Sequence, residues 1–232
     1  MDYVKRLKKI SYSLLPTSYS LLLPFGLLLT GVGGAFLPWI WRDSVALQLT
    51  GPGLAEFVKF LPEVRSGQVS IERLYFLLPL FGAMLVLPLV VENKTLVLLV
   101  WLRWGLRLAV IPLALAALSP VWTPAMLVAA EFRLQTILAM VAVGLAIIAP
   151  LLRSLSLRII AIIWGLTGLA AIILPLWQFS LIQAGMIEAY HEPVALGWGW
   201  WVTAAAAVVS MLDGIYMAWG HALKISFIRR SD

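Results

Sequence analysis

No cysteine occurs anywhere in the chain, so disulfides, thiolate-ligated iron–sulfur centres and cysteine nucleophiles are excluded, although many exported proteins also lack disulfides and no compartment follows from this. Histidine is scarce, with two residues, His191 and His221. H-E-x-x-H, G-x-S-x-G and phosphate-loop patterns are missing too, which removes the usual local signatures of zinc peptidases, serine hydrolases and nucleotidases. Charge is the next shortage: only 12% of residues are Asp, Glu, Lys or Arg, about half the share carried by soluble domains. A soluble fold of this size would lack the means to wet its surface.

What the chain has instead is apolar sequence. Of 232 residues, 62% are hydrophobic, and the mean hydropathy is +0.97. Apolar runs of about 20 residues cross a hydrocarbon layer of roughly 30 Å as helices. Six such runs are drawn here, near 20–40, 74–91, 108–128, 134–152, 159–178 and 200–219. The expected fold is an all-α integral membrane protein of six transmembrane helices arranged as three hairpins, with interfacial amphipathic segments. The expected organisation is a cytoplasmic interfacial segment at 1–18, one polytopic membrane domain at 19–225 and a basic cytoplasmic tail at 226–232.

Charge placement orients that arrangement, because short cytoplasmic loops collect Lys and Arg. Lys5, Arg6, Lys8 and Lys9 precede the first run, Arg103 and Arg107 the third; Arg153 and Arg158 separate the fourth and fifth, and Lys224, Arg229 and Arg230 follow the sixth. All fall on one side. On the other, Arg42, Lys59 and Arg65 are offset by Asp43, Glu56 and Glu63, while Glu188 and Glu192 have no basic neighbour. A multi-pass protein of the cell membrane with both termini cytoplasmic is expected. The net charge of +6 and pI near 9.8 then need no nucleic acid, since bases at span ends meet anionic headgroups. The two histidines lie on opposite faces under this topology, which disfavours a metal or haem site built on the pair. No cofactor is indicated.

In 1–18, Tyr3, Val4, Leu7, Ile10 and Leu14 recur at helical spacing against a Lys/Arg face, as in an interfacial anchor. The first run is too long for a signal-peptide core and lacks a clear cleavage site before Pro38, so it is expected to remain in the mature chain. Between 92 and 107, Trp101 and Trp104 are expected at headgroup depth in an in-plane helix, with Arg103 and Arg107 towards phosphates; burying each arginine in a span would cost about 2.5–3.5 kcal/mol.

Three apolar runs end in proline followed by tryptophan: Pro38-Trp39-Ile40-Trp41, Pro120-Val121-Trp122 and Pro175-Leu176-Trp177. Amphipathic indole rings favour the membrane interface, so Trp39, Trp41, Trp122, Trp177, Trp200 and Trp201 are expected as interface anchors. Leu29-Thr30-Gly31 with Leu37-Pro38 matches Leu166-Thr167-Gly168 with Leu174-Pro175 at identical spacing. Either an internal duplication or shared membrane grammar produces this.

Small residues recur every four positions: Gly26, Thr30, Gly34 and Pro38; Thr167, Ala171 and Pro175; Ala206, Ser210 and Gly214. Such rows let helix backbones approach closely. They serve either packing within one bundle or docking of another membrane subunit. Polar residues at membrane depth are few, and Asp213 is the foremost. An unpaired carboxylate there is expensive, so it is expected to be protonated, paired or facing water, with Arg103, Arg107 and His221 as the candidate partners. Thr167, Gln178 and Gln183 are the other candidate solute contacts. Glu131 and Arg133, in a tight turn, are expected to form an interfacial ion pair or a hairpin stop rather than a site. Outside the spans, Gly51-Pro52-Gly53 reads as a turn before an amphipathic helix over 54–61, and the 182–199 stretch as a loop whose Tyr190, His191 and flanking carboxylates form an aromatic belt or take a cation or headgroup.

Two function classes fit: a non-catalytic integral membrane subunit that scaffolds or stabilises a larger assembly, and a small membrane transport or binding module for a solute, ion or lipid with Asp213 in its pathway. Enzyme activity has little support. The expected partners are the lipid bilayer and other membrane subunits.

Overall fold

The computed structural model describes residues 21–41 and 48–228, the stretch 220–228 through its backbone alone. The 1–18 segment, Arg42, Asp43, the side chain of His221 and the end of the basic tail lie outside the described residues. Within them the chain is helical, apart from turns and one isolated antiparallel bridge between Ile40 and Leu49.

Four helices are long and apolar enough to cross a membrane: Arg73–Val91, Arg133–Leu152, Leu157–Tyr190 and Trp198–Trp219. The protein is therefore a multi-pass integral membrane protein. In chain order, α1 is Leu21–Phe36, α2 Gly51–Phe57 and α3 Pro62–Arg65. A 3-10 turn at Arg73–Leu77 leads into α4, Leu78–Val91. Next come α5, Val100–Leu108, α6, Val110–Ala116, and α7, Pro124–Val128. The last three are α8, Arg133–Ile148, α9, Leu157–Tyr190, and α10, Trp198–Ile228.

The centre is α4. Its sequence, LPLFGAMLVLPLVV, has no polar face, the pattern of a helix surrounded by protein. Of its apolar stretch 72% is buried, and α9, α8, α5 and α6 pack around it. Pro79 sits in its first turn, where the missing N–H is harmless, and Pro88 lies near its end.

Glycine decides how α1 fits. A Cβ on Gly26 would lie 2.7 Å from the Cβ of Ser210, one on Gly33 would strike Thr203, and one on Gly214 would meet Leu23 at 3.4 Å. Residue numbers rise along α1 as they fall along α10, so the two helices run antiparallel in near backbone contact. The opposite side of α1 approaches α4, where a Cβ on Gly34 would lie 3.0 Å from the backbone nitrogen of Leu80. Ala171 and Ala206 are buried as well. Apart from Thr167, which is exposed, the small-residue rows thus lie against other helices of the bundle, where close packing and van der Waals contact hold helices together without a hydrophobic preference over lipid.

Hydrogen bonds between turns gather at two ends of the molecule. At one, Lys94 N–H donates to the Arg153 carbonyl (3.2 Å) and Asn93 Nδ2 to that of Leu155 (2.8 Å). At the other, Gly197 N–H donates to the Trp39 carbonyl (2.6 Å) and Glu72 N–H to Gln178 Oε1 (3.0 Å). The second end also carries α2 and α3 and is called the loop end below.

The fold departs from expectation in three places. The 108–128 run is not one helix: the helical stretch starts at Val100, bends at Ala109, stops at Ala116 and resumes only in the short α7. Pro112 removes the donor for the Leu108 carbonyl, and Pro120 pushes Ser119 out of helical geometry. The fifth run does not end at Gln178, and the stretch expected as a loop from 182 is helical to Tyr190. Pro175 is absorbed mid-helix, and His191 closes α9 in left-handed geometry at φ 55°. Gly51-Pro52-Gly53 is not a free turn but the start of α2, whose first turn is capped by the Thr50 hydroxyl. Leu54, Val58 and Leu61 beyond it are fully buried, so this segment caps the bundle rather than lying on the bilayer.

Candidate functional site

The polar residues at membrane depth lie apart. Asp213, on α10, is 7% exposed; its carboxylate accepts a hydrogen bond from the Leu23 backbone, and its Oδ2 is buried with no partner among the described residues. Three residues earlier on the same helix, Ser210 accepts from the indole of Trp164 at 3.0 Å and donates to the Ala206 carbonyl at 2.8 Å. Thr167 is on the exposed side of α9 and bonds back to the Ile163 carbonyl at 2.8 Å. Gln178 is near the loop end, on the Glu72 backbone, and Gln183 donates to the Val194 carbonyl at 2.7 Å. Eleven positions of one helix separate Thr167 from Gln178, about 16 Å of rise. Each of these side chains is engaged locally, and among the described residues no contact joins them.

Arg107, an expected partner of Asp213, is engaged elsewhere. Its guanidinium turns inward to Glu92 at 3.1 Å, with both side chains almost wholly buried, and stacks over Trp104 at 3.8 Å. That pair closes the end of α4 onto α5. Trp104 and Trp101 are exposed, and Arg103 has a buried Nε without a partner among the described residues.

The densest charge network is at the loop end. Lys59 bridges Glu56 (2.6 Å) and Glu131 (2.9 Å), and Arg73 pairs with the same two carboxylates. Both cations lie over the Phe132 ring, at 5.3 and 5.1 Å, the favourable face of an aromatic quadrupole. Arg73 Nε also donates to the Ala55 carbonyl at 3.0 Å. Glu131 is thus paired with Lys59 and Arg73 rather than with the neighbouring Arg133. The Lys59 ammonium bonded to it, with Arg73 beside it, holds the Glu131 carboxyl below its usual range against the opposing effect of burial.

Beside this network is a cavity of about 430 Å³, within the size range of small-molecule sites. Its floor includes Leu77 and Leu115, Glu56 and Gln135 supply polar walls, and the exposed Trp122 stands at its rim. Gln135 anchors that wall by donating to the Ala117 carbonyl. A second hollow, of about 460 Å³, lies between the outer parts of α9 and α10 beside Trp177 and Trp201. Tyr190, at the end of α9, stacks on Phe57 at 5.7 Å.

The tryptophans divide into two kinds. Trp41, Trp122, Trp177 and Trp201 are exposed, whereas Trp39 and Trp200 are core residues packed edge to face at 4.9 Å. The Trp39 indole donates to the Gly33 carbonyl at 3.1 Å. The Trp39 ring also lies against Gly51 of α2, where a Cβ would meet it at 3.3 Å, and neither ring keeps a lipid-facing side.

Among the described residues no group of three potential ligands is placed to hold a metal ion. Comparison of the chain with protein-family models, curated proteins and solved structures gives no match in any of the three.

Proposed function

We propose that this chain is a non-catalytic integral membrane subunit that scaffolds or stabilises a larger membrane assembly. The observation that carries this reading is the uneven covering of the spans. In α8 only 28% of the apolar stretch is buried, against 72% in α4, and Ile137, Met140, Val141 and Ile147 are all exposed. Gly144, on the same helix, has nothing within 4 Å of where its Cβ would be. A partner helix has room there, and small residues permit the approach.

In the full reading there are six spans in three hairpins, with α1 and the 108–128 stretch, broken into α6 and α7, as the two additional crossings. Both termini are cytoplasmic in the cell membrane. The alternation of turn-to-turn hydrogen bonds between two ends supports this, as does the gathering of Arg103, Arg107, Arg153 and Arg158 at the end away from α2.

The test is extraction of the full chain in mild detergent, followed by mass identification of stoichiometric partners. Gly144→Leu is expected to release a bound membrane subunit while the chain keeps its helicity and monodispersity. Recovery of the chain alone in every mild detergent would sink the reading. A transport module is the second reading, favoured by the unpartnered Oδ2 of Asp213. It requires solute or ion flux in reconstituted vesicles that Asp213→Asn abolishes.

A further inference from the structure

The cavity at the loop end and the charge network beside it share a residue. Glu56 lines the cavity and also pairs with Lys59 and Arg73. The floor is apolar at Leu77, Leu115 and Leu118, while the charged lip alternates in sign: two cations and two carboxylates, with no net charge to attract an ion of one sign. We propose that this is a specific site for a zwitterionic phospholipid, with one acyl chain in the cavity and the phosphate–ammonium headgroup on the network.

Bonding capacity remains for such a headgroup. Both bonds to Glu131 fall on Oε1, and its side chain is 45% exposed, which leaves Oε2 as the acceptor for an ammonium. Lys59, 30% exposed, carries three donors, of which the two carboxylates use two. Its third is available to a phosphate. Placement agrees with the chemistry: the cavity lies where α6 ends, beside the exposed Trp122, and amphipathic indoles mark headgroup depth. A headgroup of a single sign would meet a like charge beside each opposite one, whereas a zwitterion satisfies both.

The test uses the full chain in detergent, with phosphatidylcholine and phosphatidylglycerol of identical acyl chains in competition and bound lipid counted by native mass spectrometry. Wild type is expected to keep one phosphatidylcholine per chain with about tenfold preference, a difference within reach of a few partly exposed charge contacts. Gly53→Phe places a ring at the cavity wall from a position where a Cβ makes only ordinary contacts, at 3.4 Å or more; it should reduce retention of both lipids at least tenfold. Leu115→Trp fills the cavity from a second position in its apolar lining and guards against misfolding of the first variant, with helicity checked for each. Lys59→Met leaves the cavity open and should remove the preference without removing the lipid. Equal retention of the two lipids by wild type overturns the proposal, as does unchanged retention in both cavity-filled variants.

Discussion

Gly26 and Ser210 stand so close across the α1–α10 contact that a methyl group on the glycine would lie 2.7 Å from the serine Cβ. The obstruction is a Cβ fixed to a helix backbone, which cannot swing away as the end of a long side chain can. Relief requires the helices to separate. Gly26→Ala is therefore expected to destabilise the protein by about 1–3 kcal/mol, as overpacking of a tight core does. Gly144→Ala, at an open position, should remain within about 1 kcal/mol of wild type, consistent with the better helix propensity of alanine. Thermal unfolding of purified chain in one detergent separates the two.

A second prediction concerns Glu92 and Arg107, whose side chains are 9% and 11% exposed. Glu92→Ala strands a buried guanidinium and is expected to cost about 3–5 kcal/mol. The paired replacement Glu92→Leu with Arg107→Met should recover most of that loss. A double-mutant cycle on melting temperature checks this; additive losses would show that the two charges act separately.

Acid should loosen the loop end. Glu131 has its folded value held below the ordinary carboxylate range, chiefly by Lys59, so its contribution is complete above that range and lost as pH falls through the depressed value. Wild type is expected to lose its thermal advantage over Glu131→Gln as pH drops below about 4. Parallel melting curves at all pH values would contradict this.

Trp39→Phe keeps an aromatic ring against Trp200 but removes the donor to the Gly33 carbonyl. The expected loss is about 1 kcal/mol, together with a weaker near-ultraviolet circular dichroism signal from the coupled indoles. An unchanged spectrum would argue against the edge-to-face packing.

Much of the membrane character was legible in the sequence because hydrophobic length and helical period are local properties. The rows through Gly26, Ser210 and Gly214 follow from four-residue spacing, but nothing in that spacing tells which row meets which. Pairing depends on the whole bundle. The same limit explains Glu131: Arg133 is near in sequence, whereas Lys59 and Arg73 reach it only after α4, α5 and α6 have folded back. It also explains Trp39 and Trp200. Their apolar surroundings read equally well as lipid or protein, and only their packing on each other in the folded bundle decides. Proline was legible but ambiguous, since Pro112 and Pro120 interrupt one apolar run while Pro175 passes through the middle of a helix. The outcome depends on whether neighbours absorb the orphaned carbonyl. Asp213, finally, was visible as a costly carboxylate, but its Leu23 contact is with backbone, which no side-chain pattern announces.

The antiparallel seat of α1 on α10 joins the first and last described helices, and this has a bearing on biogenesis. A ribosome delivers the amino-terminal helix long before its partner exists, so the notches at Gly26 and Gly33 face lipid or a chaperone throughout synthesis. Completion of this contact waits for α10, which makes truncation within α10 more damaging to the seat of α1 than loss of an equal length from a peripheral turn.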